Sequence, residues 1–178
     1  GFIGSRLADT LVKRGFEVRI LDLVPSAEFP KRYRPLDVRD ASACRRELAG
    51  SDLVINLAAV HRDDVRPRER YYDTNVGGAR ALCDAMTALG IGKLVFTSSV
   101  AVYGDAAGTG DEDTPLSPVN DYGASKVQAE EVYRQWAGGD GRSLVIIRPT
   151  VVFGPGNRGN VATLVGQPTG GNRRGING

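Results

Sequence analysis

Short apolar runs alternate along this chain with stretches whose apolar residues recur every three or four positions. Val18, Ile20 and Leu21 lead into Asp22 and predict a buried strand over 17–22 that ends in an acid. Residues 52–59 (Asp-Leu-Val-Ile-Asn-Leu-Ala-Ala), 93–99 (Lys-Leu-Val-Phe-Thr-Ser-Ser) and 143–148 (Ser-Leu-Val-Ile-Ile-Arg) predict three more buried strands, the last stopped by Pro149. A short, poorly patterned strand precedes 36–40. Helical spacing fills the intervals. Leu7, Leu11 and Val12 mark a helix from Gly1 to about Arg14, closed by Gly15, and a second covers about 41–48. A third covers about 69–89, with Asn75 and the pair Gly77-Gly78 inside it. Val127, Ala129, Val132 and Trp136 mark a fourth over 122–136. Glycine costs about 1 kcal/mol in a helix interior, so Gly77-Gly78 predict close packing. Residues 103–120 read as a long loop, and 151–157 turn away from the last strand.

Strands alternating with helices predict an α/β fold with a doubly wound parallel sheet. Ligands of such sheets bind beyond the carboxyl ends of the strands. Asp22, Asp37, Ala58, Thr97, Ser98, Ser99 and Pro149 all fall at or just after those ends, so they converge on one site.

Composition narrows the chemistry. The chain has 178 residues, 41% hydrophobic and 25% charged, which suits one domain with a real core. A net charge of +2, with arginines scattered apart from 62–70 and the chain end, gives no footprint for nucleic acid. His61 is the single histidine, which argues against a zinc site or a Ser-His-Asp triad. Cys44 and Cys83 lack metal-ligand spacing and read as reduced core or helix residues. No apolar run reaches membrane-spanning length and no signal peptide is visible, so the cytoplasm is the default expectation. The chain opens at Gly1 inside a motif and ends in a Gly-, Arg- and Asn-rich stretch. It reads as an internal piece of a longer protein: a domain over 1–160 without its first strand, and an irregular tail over 161–178.

Three groups carry candidate chemistry. Gly1 and Gly4 stand three apart at a helix start, where glycine admits a pyrophosphate to backbone N–H groups and the positive end of the helix dipole. Asp22 follows by roughly 20 residues, where a carboxylate can bind a ribose diol and repel a 2′-phosphate, favouring NAD over NADP. Tyr122 and Lys126 are four apart on a helix and share a face. An ammonium beside a phenol favours the phenolate, which can take a proton from an alcohol near neutral pH.

In this order the chain contains Gly1-Phe2-Ile3-Gly4, Asp22, Asp37-Val38, Leu57-Ala58-Ala59, Thr74-Asn75-Val76, Ser98-Ser99, Tyr122-Gly123-x-x-Lys126 and Arg148-Pro149. The set, over residues 1 to about 160, resembles the extended short-chain dehydrogenase/reductase family, in its NAD-dependent epimerase/dehydratase branch that acts on nucleotide sugars. The resemblance implies a Rossmann-like domain. It places Gly1, Phe2, Ile3 and Gly4 under the cofactor pyrophosphate, Asp22 at the adenosine ribose, and Asp37 with Val38 at the adenine. Leu57, Ala58 and Ala59 would pass along the cofactor, braced by Asn75, with Thr97 nearby at the strand end. Tyr122 and Lys126 would hold the nicotinamide ribose, with Pro149 and Thr150 beside the nicotinamide. The implied catalytic set is Ser99, Tyr122 and Lys126. Ser99 would bond the reacting sugar oxygen, and Tyr122 would remove and return its proton while NAD takes hydride and gives it back on the other face.

Two departures shape the expectation. Family 4,6-dehydratases have Asp-Glu after the catalytic hydroxyl, and here Val100 and Ala101 stand there, so dehydration is not expected. Many nucleotide-sugar members place an Asn where this chain has Val151, which leaves open an NAD(P)-dependent alcohol dehydrogenase or ketone reductase. A non-enzymatic NAD-binding protein and an inactive fragment are the remaining readings. Arg158 and Asn160 are weak phosphate-binding candidates. The resemblance further implies a homodimer through the helices around Asn75 and Tyr122. It also implies that the chain lacks a substrate-binding lobe. With the central strand missing as well, residues 1–178 alone are expected to be poorly soluble or molten.

Overall fold

Parallel strand pairing organises the chain, with a helix in every crossover but the first, between 22 and 33. The structure is a computed structural model and describes residues 1–62, 64–105 and 110–154. The tail at 161–178, with Arg158 and Asn160, lies outside the described residues. In order come α1 (Phe2–Lys13), β1 (Ile20–Asp22), β2 (Tyr33–Pro35), α2 (Ala41–Leu48), β3 (Val54–Asn56) and α3 (Glu69–Tyr72). A π turn (Asp73–Gly77) joins α3 to α4 (Gly78–Leu89). Then follow β4 (Lys93–Thr97), a 3-10 turn (Val100–Tyr103), α5 (Asp121–Ala137) and β5 (Ser143–Ile147).

Two parallel sheets form, β1–β2 and β3–β4–β5. In the doubly wound order 3-2-1-4-5-6, β2 and β1 take positions 3 and 2, and β3, β4 and β5 take 4, 5 and 6. Among the described residues no strand pairs with the second edge of β1 or of β3. The strands are shorter than the apolar runs. Only 20–22 of the expected 17–22 pair, because the partner β2 offers three residues, and Arg19 turns its guanidinium to the carbonyls of Glu47 and Ala49. β1 is half-buried rather than buried, and β3 keeps three residues of the expected 52–59.

Burial explains which sheet face matters. Val54, Leu94 and Phe96 pack with Cys44 and Leu48 of α2, Leu82 and Met86 of α4, and Ala129, Tyr133 and Trp136 of α5. On the other face Val145 and Ile147 stay 51% and 47% exposed. The expectation for Gly77-Gly78 is met at Gly78, where a Cβ would lie 2.7 Å from Val38 Cγ1. The helix thus packs closely on Val38 in the loop after β2. Gly15 closes α1 with φ +83°, a conformation that glycine adopts without strain. Cys44 and Cys83 are both free, buried and helical. No helix among the described residues is long and apolar enough to cross a membrane.

Candidate active site

Lys126 is the anchor of the site. It is 2% exposed, donates from Nζ to the Thr97 carbonyl at 2.7 Å, and lies 4.3 Å from the Phe96 ring centroid. Burial lowers its pKa to about 8, and the Glu130 carboxylate opposes that shift. One turn earlier Tyr122 is half-buried and lines an open cleft of about 400 Å³ with Arg66, Arg68, Val119 and Asp121. Asn120 caps α5 by accepting from the Gly123 amide at 2.8 Å, which fixes where the helix begins and so where Tyr122 points.

Ser99 is held at the junction of two strands. The parallel ladder of β4 and β5 continues past both, with the Ser98 amide donating to the Ile147 carbonyl at 2.7 Å and the Val100 amide to that of Pro149 at 3.1 Å. Ser99 therefore sits beside Pro149. Its Oγ accepts from the Ala101 amide at 3.2 Å and caps the 3-10 turn. A hydroxyl that accepts in this way retains its own proton to donate. That turn packs against α5 at Gly123, where a Cβ would lie 2.4 Å from the Ala101 carbonyl oxygen. Ser99 and Tyr122 are thus carried on two elements in direct contact.

The expected cofactor wall also comes together. The nitrogen of Gly1 lies 3.9 Å from Asp22 Oδ2, and a Cβ on Gly4 would touch Leu57 Cδ1 at 3.5 Å. The start of α1 therefore borders the ends of both β1 and β3. Phe2 lies against Gly154 in the stretch after β5, where a Cβ would meet its Cζ at 3.2 Å. Ile3 is 38% exposed. Asn75 is 4% exposed and braces the chain after Ala58-Ala59: its Oδ1 accepts from the Val60 amide at 2.9 Å. Its Nδ2 donates to the Val60 carbonyl at 3.1 Å and to Ser125 Oγ at 2.8 Å. The π turn that carries Asn75 is a device common at functional sites. Asp22 accepts from the Val24 amide at 3.0 Å, and its carbonyl accepts from the Leu36 amide at 3.1 Å, which seats Asp37 and Val38 alongside. Asp37 is already engaged. Its carboxylate chelates Arg39 at 2.6 to 3.1 Å, and those side-chain bonds hold its pKa below the ordinary value. Thr150 is exposed just beyond Pro149.

Several residues of this site were not singled out from sequence. Asn56 is 8% exposed; it donates to the Tyr133 hydroxyl at 2.7 Å and accepts from the Ala58 amide at 3.0 Å, tying the β3 end to α5. Tyr72 donates to Asp121 Oδ1 at 3.2 Å, and Arg68 lies 3.3 Å from Oδ2. Glu130 is 1% exposed and bonded to Arg148. The one available signal was spacing, since Glu130 falls a further turn along the face of Tyr122 and Lys126. Among the described residues no cluster of three or more His, Cys, Asp or Glu could hold a metal ion.

The sequence model of the NAD dependent epimerase/dehydratase family matches residues 1–167. The chain belongs to this family. It is 49% identical over 173 residues to an N-acetyl-alpha-D-glucosaminyl-diphospho-ditrans,octacis-undecaprenol 4-epimerase of Escherichia coli O157:H7, covering 96% of this chain and 52% of that protein. A UDP-glucose 4-epimerase of Streptomyces lividans is 36% identical over 172 residues, 89% of this chain and 51% of the relative. The crystal structure of a Brucella ovis UDP-glucose 4-epimerase in complex with NAD superposes with a TM-score of 0.77 at 27% identity. That match covers 83% of this chain and 48% of the other. The chain spans about half the length of these relatives. Their fold bears out the expected doubly wound architecture.

Proposed function

We propose that this chain is the NAD-binding and proton-handling part of a 4-epimerase acting on a sugar carried by a diphosphate. The observation that supports it most is Lys126, buried under the Thr97 carbonyl one turn from Tyr122, with Ser99 pinned beside Pro149. The names of the two relatives support this class of substrate, one a lipid-linked diphosphate sugar and one a UDP-sugar.

The residues present fit the cofactor. The α1 N-terminus offers N–H groups at the mouth formed by Asp22 and Leu57, with small Ala58 and Ala59 alongside. Gly1, Phe2, Ile3 and Gly4 would lie under the pyrophosphate, Asp22 at the adenosine ribose, and Val38 at the adenine. Pro149 and Thr150 would flank the nicotinamide. NAD, when bound, would supply reversible hydride removal at the sugar carbon. Tyr122 takes the proton of the sugar hydroxyl and later returns it to the same oxygen. Lys126 keeps that phenol ready to ionise. Ser99 donates its remaining proton to the reacting oxygen and holds it still.

The test is to supply the full-length protein with NAD and, separately, with UDP-glucose, UDP-N-acetylglucosamine and N-acetylglucosaminyl-diphospho-polyprenol. The expected result is the 4-epimer of at least one substrate without net NADH. Stoichiometric NADH instead would place the protein among dehydrogenases. Cofactor choice is a second check. Asp22 ends β1, and Leu23 and Val24 follow it with no cation to meet a 2′-phosphate. The protein should prefer NAD to NADP in a binding titration. Asp22→Ala should narrow that preference by roughly tenfold, because a hydrogen bond to a charged group is worth about 1.5–3 kcal/mol. Equal binding of both cofactors by the unmutated protein would contradict the assignment.

A further inference from the structure

Glu130 is the one buried carboxylate among the described residues. Arg148 closes on it with two bonds, Nε to Oε1 at 3.0 Å and Nη2 to Oε2 at 2.6 Å, and Arg134 reaches Oε2 at 3.6 Å. Arg148 then continues to the Tyr103 hydroxyl at 2.6 Å and the Glu112 carbonyl at 3.1 Å. A buried ion pair is weak evidence of stabilisation, because desolvation offsets most of its attraction. Its place is more telling. Glu130 lies one helical turn beyond Lys126, and Arg148 is the residue before Pro149.

We propose that Glu130 is a positioning residue of the catalytic site: it holds Lys126 as an ammonium and, through Arg148, locks the Pro149 end of β5 to the helix that carries Tyr122. Lys126 has its hydrogen bond to a neutral carbonyl and its ring contact to Phe96. Burial works against its charge, and Glu130 works for it. Glu130 itself is pushed up by burial, but the Arg148 hydrogen bonds, the Ser98 hydroxyl and the charges of Arg148 and Arg134 together outweigh that and hold it below its ordinary value. The other groups around Lys126 cannot replace it. The π turn presents neutral Asn75, and α4 presents Cys83, a thiol pushed up to about 12 by burial. Tyr133 is raised by burial and bonded to Asn56. On the 3-10 turn Tyr103 is bonded to Arg148. Tyr72 and Asp121, at the start of α5, are bonded to each other. Arg134 reaches Glu130 from the exposed face of α5.

This inference rests on the reading of Lys126 as the group that tunes Tyr122. Its test reads Lys126 directly, without NAD or substrate, so it succeeds or fails apart from the epimerase reading, which turnover decides. The titration of Lys126 is followed by NMR of 13C-labelled lysine side chains in the full-length protein, assigned with Lys126→Arg. The exposed Lys13, Lys31 and Lys93 report on global unfolding. Glu130→Gln should move the Lys126 midpoint down by about one pH unit, a tenfold change in acidity. Arg148→Gln, which frees the carboxylate, should move it up while the exposed lysines keep their shifts. A purely structural role would loosen the site in both variants and move both midpoints up. A Glu130→Gln midpoint that stays or rises would overturn the proposal. Should that variant not fold, the double variant Glu130→Gln/Arg148→Gln, which leaves no unpaired buried charge, is compared with Arg148→Gln alone: a lower Lys126 midpoint in the double variant supports the proposal, and an equal or higher one overturns it.

Discussion

Tyr122→Phe should keep NAD binding and lose turnover by roughly 10²- to 10⁴-fold, the span that positioned acid–base groups contribute. The phenylalanine keeps the ring on the half-buried face of α5, beside the cleft and behind the Asn120 cap, so the scaffold should not change. Only the proton carrier goes. Lys126→Met should behave differently. It removes the ammonium that favours the phenolate and also the bond to the Thr97 carbonyl, which would then be a partly buried acceptor without that partner. An unmet buried acceptor costs about 1–3 kcal/mol, so this variant should lose stability as well as turnover. Cofactor titration, steady-state rates and thermal unfolding on the full-length variants separate the two patterns. A Tyr122→Phe protein with near-normal turnover would remove Tyr122 from the mechanism.

Much of this site was legible in the sequence because its parts sit at strand ends, and strand ends are marked by where an apolar run stops. Asp22, Thr97 and Ser99 were placed by that rule. Tyr122 and Lys126 were placed by helical spacing, and Gly78 by the cost of glycine in a helix. Contacts between elements distant in sequence were not legible. Asn75 and Ser125 meet across 50 residues, and Asn56 and Tyr133 across 77. Nothing in local periodicity distinguishes such a tyrosine from an ordinary core aromatic. Glu130 was passed over for a related reason, and Arg148 was read only as part of the Arg148-Pro149 motif. Glu130 reads singly as a solvated charge, and only the fold shows that the two enclose one another. The apolar run at 52–59 overstated its strand because hydrophobic content records burial, while a ladder also needs a paired neighbour.

Gly123→Ala should cut turnover by about 100-fold or more through geometry alone, without touching a catalytic group. The added Cβ would lie 2.4 Å from the Ala101 carbonyl oxygen and 3.0 Å from Pro118 Cβ. The first of these is backbone in the 3-10 turn that Ser99 caps, so no flexible side chain can move aside to make room. Either the turn or the start of α5 must shift. Both outcomes separate Ser99 from Tyr122, because the turn is also tied to Pro149 by the Val100 amide. A displacement near 1 Å costs about 10²-fold when two groups must act on one reacting atom. Overpacking of this kind also destabilises by about 1–3 kcal/mol. NAD binding at Asp22 and the α1 N-terminus should change little, since neither contacts the clash. Alanine at Gly138, where a Cβ would lie 3.3 Å from the Gln135 carbonyl oxygen at the exposed end of the same helix, is the control and should leave turnover near the parent value. The decisive comparison is turnover against NAD affinity in the two variants. If Gly123→Ala turned over like Gly138→Ala, the close approach of the turn to α5 would not be what sets the distance between Ser99 and Tyr122.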